Sequence, residues 1–340
     1  MRTSILKILK KKDNIPIWFM RQAGRYLPEY NEIRLKNPNF IKLCLTPKLA
    51  SQITIQPLTR FSLDIAIIFS DILILPYLLG WQVEFEKTHG PKLRIFESEQ
   101  DLISINKDFS DEINNLYEAI TLTKSLLNKE QSIIGFAGAP WTIMTYMIEG
   151  KSKTDFIKSK KFILNNPDLS HKLVELLTEK TIDYLLGQVK AGADLLQIFD
   201  SWAGILSISE YKKFVIEPTN KIISNIKNIY PNIPIIGFPR GSGFLYENYI
   251  NSIKNLDCIS VDQFITTEKI KQWQQNIVVQ GNLDPVVLLT NKDIIENKTK
   301  DILSNVNLEN FIFNLGHGVI KSTPVENIEF LVNYVKEYKS

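Results

Sequence analysis

The 340-residue chain predicts an α/β fold: a single (β/α)8 TIM barrel with a β-hairpin inserted after its second strand. Three observations carry that expectation. Eight short apolar runs are spread along the chain. Helical periodicity fills the segments between them. No composition break or low-complexity linker divides the sequence.

The runs are, in order, "IPIWFM" (15–20), "DIAIIFS" (64–70), "SIIGFAG" (132–138), "DLLQIFD" (194–200), "IPIIGF" (233–238), "CISVD" (258–262), "NIVVQG" (276–281) and "NFIFNLG" (310–316). Each is rich in β-branched or aromatic residues and gives way to polar residues or glycine, as strands buried on both faces do. Between them, 168–193 places Leu169, Leu173, Leu176 and Leu177 on one stripe and stops near a glycine, so it reads as an amphipathic helix. Segments 112–128, 207–228, 292–304 and 325–338 read similarly. Strands alternating with helices imply parallel βαβ units, and eight units imply a closed barrel. An open doubly wound sheet is the alternative, but no Gly-x-Gly-x-x-Gly follows the first strand. In "VEFEKTHGPKLRIF" (83–96), alternation, a His-Gly-Pro turn and renewed alternation predict the hairpin.

With 44% hydrophobic and 23% charged residues, the chain suits one large domain, and residues 1–340 are read as one barrel. Residues 1–14, "MRTSILKILKKKDN", read as a flexible lead-in: the apolar stretch is too short for a secretory core and no small-residue cleavage site follows. The net charge of +3 is not concentrated in a basic run, so neither nucleic acid nor an anionic membrane is expected as a partner. The most apolar region, 65–79, is interrupted by Ser70, Asp71 and Pro76, so no spanning helix is expected. Cys44 and Cys258 form no Cys-x-x-Cys pattern. That predicts neither a disulfide framework nor a cysteine zinc site, and suits a reducing, cytoplasmic setting.

In such a barrel the loops after the strands build the site. The first strand leads to Arg21 and Arg25, the second to Ser70 and Asp71, and the third to Trp141 and Tyr146. The fourth gives Asp200 and Ser201, the fifth Arg240, the sixth Asp262, the seventh Asn282 and Asp284, and the eighth His317. No lysine ends a strand to serve as a Schiff base, and no Gly-x-Ser-x-Gly elbow, Walker loop or metal-binding spacing appears. What remains suits an anionic organic substrate held by arginine forks around a carboxylate. Each residue also has a plain structural reading. The arginines could be salt-bridge partners, Asp71 a helix cap, Tyr146 a core-edge aromatic, and the late loops a phosphate cradle of a sugar-phosphate enzyme. His317 stands between two glycines, which let the backbone approach something closely.

"WFMRQAGRYLPEY" and "GFAGAPWTIMTYMIEG" resemble the two signature stretches of the uroporphyrinogen decarboxylase family. "FSDIL" (69–73), "FDSWAG" (199–204), "GNLDP" (281–285) and "NLGHG" (314–318) match further motifs in the same order, so the resemblance covers nearly the whole chain. It implies a distorted (β/α)8 barrel, usually a homodimer, that converts the four acetate side chains of uroporphyrinogen III to methyls, giving coproporphyrinogen III without cofactor or metal. It assigns Asp71 to the pyrrole N–H groups, where its charge stabilises a protonated pyrrole. Arg21 and Arg25 would clamp carboxylates, with Arg21 a candidate for proton delivery against a water or a substrate carboxylate. Tyr146 is carried over as a catalytic-site residue, and Ser201 and His317 as polar contacts. Gln22 adds a side-chain bond, while Ala23 and Gly24 let the loop approach the ligand. The family often has Glu-Ser where Asp200–Ser201 stands. The alternative is a zinc-dependent methyltransferase of the same superfamily. That needs a histidine–cysteine ligand cluster, and "GFPRGSG" carries no His-x-Cys. A porphyrin-binding module without turnover is a third reading.

Overall fold

The computed structural model describes residues 14–86, 90–106, 108–151 and 155–339. All but the last residue of the expected lead-in, and the tip of the expected hairpin (87–89), lie outside the described residues. Among the described residues nine strands are formed: β1 (Ile65–Ile67), β2 (Val83–Glu86), β3 (Gly90–Leu93), β4 (Ser132–Gly138), β5 (Leu195–Asp200), β6 (Ile235–Pro239), β7 (Cys258–Ser260), β8 (Val278–Leu283) and β9 (Phe311–Leu315). β2 and β3 are the inserted antiparallel hairpin, with Val83 opposite Leu93. The other seven form one curled parallel sheet in the order β1-β4-β5-β6-β7-β8-β9.

The expected first strand, 15–20, departs from regular pairing. Only Ile17 forms a parallel bridge, to Phe313. Pro16 has no N–H to give, and the Ile17 N–H goes to Asp64 Oδ2 at 3.0 Å. The run still bonds to both edges of the sheet. Phe313 N–H donates to Pro16 O (2.8 Å), and Asp64 N–H donates to Ile17 O (3.3 Å). It therefore lies between β9 and β1 as the eighth stave of the barrel.

Side chains inside the barrel are identified by what they touch. Trp18 Nε1 donates to Gln280 Oε1 (2.9 Å). Gln280 Nε2 donates to Gln197 Oε1 (3.2 Å) and to Ser260 Oγ (3.0 Å). Bonds across four staves are possible only through the interior. They fix the parity of the sheet, since residues two apart share a face. By register with Gln197, the inward residues toward the strand C-termini include Phe136, Phe199 and Phe238.

Helices cover the outside. The expected helix at 168–193 forms as Pro167–Lys190, with Leu173 and Leu177 buried and Leu169 and Leu176 packed beside them. Segment 207–228 is not one helix: Ile208–Tyr211 passes through a π turn, Lys212–Ile216, into Glu217–Ile229. Pro218 stands in the first turn of that last piece, where a missing N–H is tolerated. The helices Ile113–Leu126, Lys292–Asn305 and Val325–Glu337 lie within two residues of expectation.

Asp64 ties the eighth stave to the C-terminal helix, because its Oδ1 also meets Lys336 Nζ at 3.1 Å. Asp64→Ala leaves the Ile17 N–H without an acceptor, so chemical denaturation should show a loss of about 1–3 kcal/mol. An unshifted unfolding midpoint would contradict this role.

Candidate active site

The chain leaves the first stave through Arg21, which adopts a left-handed backbone with φ 60°. That turn throws its side chain outward over the barrel mouth while Gln22 turns back. Gln22 is fully buried. Its Oε1 accepts from Phe19 N–H, its Nε2 donates to Ile65 O, both at 3.0 Å, and its carbonyl accepts Tyr26 OH at 2.6 Å. The Gln22 amide is thus spent on shaping the loop. Gly24 has no left-handed φ. It is close-packed instead: a Cβ there would lie 3.2 Å from Arg21 O. Ala23 is half-buried against the core, and Arg25 is exposed.

The glycines around His317 have separate partners. A Cβ on Gly316 would meet Gln263 N at 2.4 Å, and one on Gly318 would meet Arg21 Cδ at 2.5 Å. The Arg21 stem therefore lies across the backbone after β9. Burial, then the charges of Arg21 and Arg240, push the His317 pKa down to about 3, so its imidazole is neutral at physiological pH. Its Nδ1 is buried without a hydrogen-bond partner.

Asp71 follows β1 and is half-buried. Its Oδ1 accepts Leu73 N–H at 2.9 Å in a local turn before the helix Ile74–Leu78, whose N-cap is Leu73 with no side-chain cap, so the helix-cap reading is not met. Among the described residues no hydrogen bond reaches Oδ2. Burial raises the Asp71 pKa, while the Leu73 N–H and the Arg21 charge oppose the rise. Among the described residues, no ion pair to a carboxylate engages Arg21, Arg25 or Arg240. The salt-bridge reading of those arginines finds no partner among the described residues.

Tyr146 lies on the helix Pro140–Glu149, whose other nine residues are all buried. It alone faces accessible space, with its ring 6.1 Å from that of Trp202. Ser201 is half-buried in the turn after β5. Trp202, which the residue-by-residue reading passed over, is held on both sides. Its N–H donates to Thr142 Oγ1 (3.2 Å) and its carbonyl accepts Trp141 Nε1 (3.0 Å). Asp200 points the other way, into the helix layer, where its Oδ1 accepts Thr142 Oγ1–H at 2.6 Å. Burial raises its pKa to about 7.

Other strand-end residues build loops. Asn282 Nδ2 donates to Asp262 O and Ile265 O, and Asp284 caps the following turn through Val286 N–H. Asp262 accepts Gly241 N–H (2.6 Å) and Tyr246 OH (3.1 Å). The floor is aromatic: Phe136 packs edge-on to Phe199 (5.5 Å), and Phe199 edge-on to Phe238 (6.2 Å). Strand alternation could have found that floor. Among the described residues no three His, Cys, Asp or Glu side chains are grouped to hold a metal ion, and both cysteines are buried and free. No described helix is long and apolar enough to cross a membrane. An apolar floor, one carboxylate oxygen left open and a cationic rim can hold a flat, polyanionic molecule that offers N–H groups at its centre.

A family model for uroporphyrinogen decarboxylase (URO-D) matches residues 3–338. Uroporphyrinogen decarboxylase from Rickettsia bellii is 52% identical over 338 residues, covering 99% of each chain. Its counterpart from Rickettsia massiliae is 50% identical over 336 residues, covering 98% of this chain and 97% of the other. Among solved structures, a methyltransferase from Methanosarcina mazei superposes with TM-score 0.76 at 18% identity, covering 99% of this chain and 98% of the other. That likeness is one of fold alone.

The two carboxyls differ enough in environment to be told apart by pH. Asp200 is neutral in the fold up to about pH 7, whereas its unfolded value is 3.8. A raised folded pKa contributes stability that is present below the unfolded pKa and is lost as pH rises through the folded one. From pH 4 to 7 the loss approaches about 4 kcal/mol. Asp200→Asn keeps an acceptor for Thr142 and cannot titrate, so the stability difference between variant and parent should move by that order across pH 4–7. Parallel curves would contradict the assignment.

Proposed function

The chain belongs to the uroporphyrinogen decarboxylase family, and we propose that it decarboxylates the four acetate side chains of uroporphyrinogen III to give coproporphyrinogen III. Full-length identity of about half with curated uroporphyrinogen decarboxylases carries this reading. The mouth supports it: rim arginines with no ion-pair partner among the described residues stand above an aromatic floor, with Asp71 Oδ2 open.

The chemistry needs a place for electrons. Protonation of the pyrrole at the ring carbon next to the one bearing the acetate makes a ring cation conjugated to the acetate-bearing carbon. The bond to the carboxylate carbon then breaks, carbon dioxide leaves, and its electron pair neutralises the ring as an exocyclic methylene. A second proton completes the methyl and the first leaves the ring carbon to restore the pyrrole, so each cycle replaces carbon dioxide with a proton. The Asp71 carboxylate faces the pyrrole N–H groups and stabilises the cation as a preorganised charge. Burial raises its pKa, and N–H donors from the substrate favour its ionised form. Arg21 and Arg25 hold substrate carboxylates by forked hydrogen bonds. A guanidinium keeps its proton and His317 is neutral. The proton therefore comes from water or from a substrate carboxyl that Arg21 positions. Tyr146 and Ser201 contact the substrate from the loops after β4 and β5, while Gln22, Ala23 and Gly24 shape the loop that carries both arginines. We further propose a homodimer. Phe244 and Phe264, 74% and 71% exposed, and Ile208, at 60%, extend from the loops after β6, β7 and β5, and a partner subunit would bury them. Free cysteines fit a cytoplasmic setting.

The test is an anaerobic assay with uroporphyrinogen III, in which oxidised products are separated by carboxylate number. Seven- to four-carboxylate species are expected, and their absence would sink the reading. Asp71→Asn should cost about 2–4 kcal/mol of transition-state stabilisation, roughly a thirty- to thousand-fold fall in kcat. Near-parental turnover would remove Asp71 from the mechanism.

A further inference from the structure

Arg240 is the cation that the family motifs leave unassigned, and it follows β6. The eight staves run first stave, β1, β4, β5, β6, β7, β8, β9 and back to the first. β6 is therefore the fourth stave from the first in either direction, and Arg240 stands diametrically across the mouth from Arg21.

Its backbone is fixed on every side. The Arg240 N–H donates to Asp200 O (3.0 Å) and Phe238 O (3.1 Å), and its carbonyl accepts Gly204 N–H (3.2 Å). The next N–H, of Gly241, is held by the Asp262 carboxylate. Gly204 and Gly241 approach so closely that a Cβ on Gly204 would lie 2.0 Å from Gly241 O. The loop is clamped, while among the described residues no hydrogen bond or ion pair engages the Arg240 side chain. Arg240 Nε is buried without a hydrogen-bond partner, although a buried charged donor costs free energy when unpaired. Asp262, beside the loop, accepts from the Gly241 and Phe264 N–H groups and the Tyr246 hydroxyl, and Asp200 faces the helix layer, where no arginine charge acts on it. The Arg240 charge is felt instead at His317, together with that of Arg21. So the charges of two cations borne on opposite staves both reach one neutral imidazole at the mouth.

We propose that Arg240 is a further substrate-binding residue, whose guanidinium takes a carboxylate of the tetrapyrrole on the rim opposite Arg21. The assignment rests on the proposed function, because it needs a ligand with carboxylates on opposite sides of a rigid ring. A macrocycle clamped at one edge alone could pivot over the floor. A second fork across the mouth fixes its rotation about the Asp71 contact, which a single-edge clamp cannot do.

The experiment measures anaerobic steady-state kinetics of the full chain with uroporphyrinogen III for the parent, Arg240→Ala, Arg240→Gln and Arg240→Lys. Arg240→Ala should raise KM at least about tenfold, the scale of one lost charge-assisted hydrogen bond, with kcat within about threefold. Arg240→Lys should recover part of the loss, since it keeps the charge and loses the fork. Added salt should raise KM less steeply in Arg240→Ala than in the parent. A KM within about twofold of the parent in folded Arg240→Ala, or a kcat loss with KM unchanged, would overturn the assignment. Failure of both Arg240→Ala and Arg240→Gln to fold would overturn it too, because the residue would then be structural. A parent chain that makes no decarboxylated product sinks the functional reading. A parent that turns over beside an unaffected Arg240→Ala sinks only this assignment.

Discussion

The mouth of the barrel depends on how Arg21 is held. Its left-handed backbone ends the first stave, and its aliphatic stem lies on Gly318, where no side chain could be fitted without moving it. This contact joins the loop after the first stave to the loop after β9. It sets the guanidinium where its charge acts on both Asp71 and His317. A flexible arginine on the rim would be screened by water and would place its charge loosely. Here the stem is part of the packing, and the loop behind it is locked by the buried Gln22 amide.

Around that cation the protein sorts its ionisable groups by environment. Asp71 keeps an open oxygen, and burial raises its pKa while the Leu73 N–H and the Arg21 charge favour the charged form. Asp200, one residue beyond a mouth-facing phenylalanine, lies among helices with a single hydroxyl donor and is neutral to about pH 7. His317 is stripped of its proton by burial and two arginines, so it offers an uncharged ring between cations. The result is a mouth whose fixed charges are complementary to a polyanion at the rim and to a cation at the centre. Electrostatic preorganisation requires that arrangement when a cationic intermediate forms inside a polyanionic substrate.

Much of this was legible in the sequence because parallel strands buried on both faces leave continuous apolar runs, and β4 matches its run residue for residue. The first stave reads as a strand but pairs as a bridge, because Pro16 lacks a donor and Asp64 takes the next one. The long pattern at 207–228 hides a π turn that periodicity does not register. At the site, composition located the arginines but not their directions. Gln22 and Arg21 are neighbours in one motif, yet one faces inward and the other outward. "FSD" and "FDS" look alike at the ends of two strands. In β5 the parity that puts Phe199 on the mouth side sends Asp200 to the helices, a distinction that depends on register alone.

The claim on which the account turns is that Asp71 meets the pyrrole nitrogens of the substrate while the arginines hold its carboxylates. A crystal structure with coproporphyrinogen bound tests it most directly. The account predicts pyrrole N–H groups within about 3 Å of the Asp71 carboxylate, with side-chain carboxylates on Arg21 and Arg25. A macrocycle seated with its nitrogens turned away from Asp71 would contradict it.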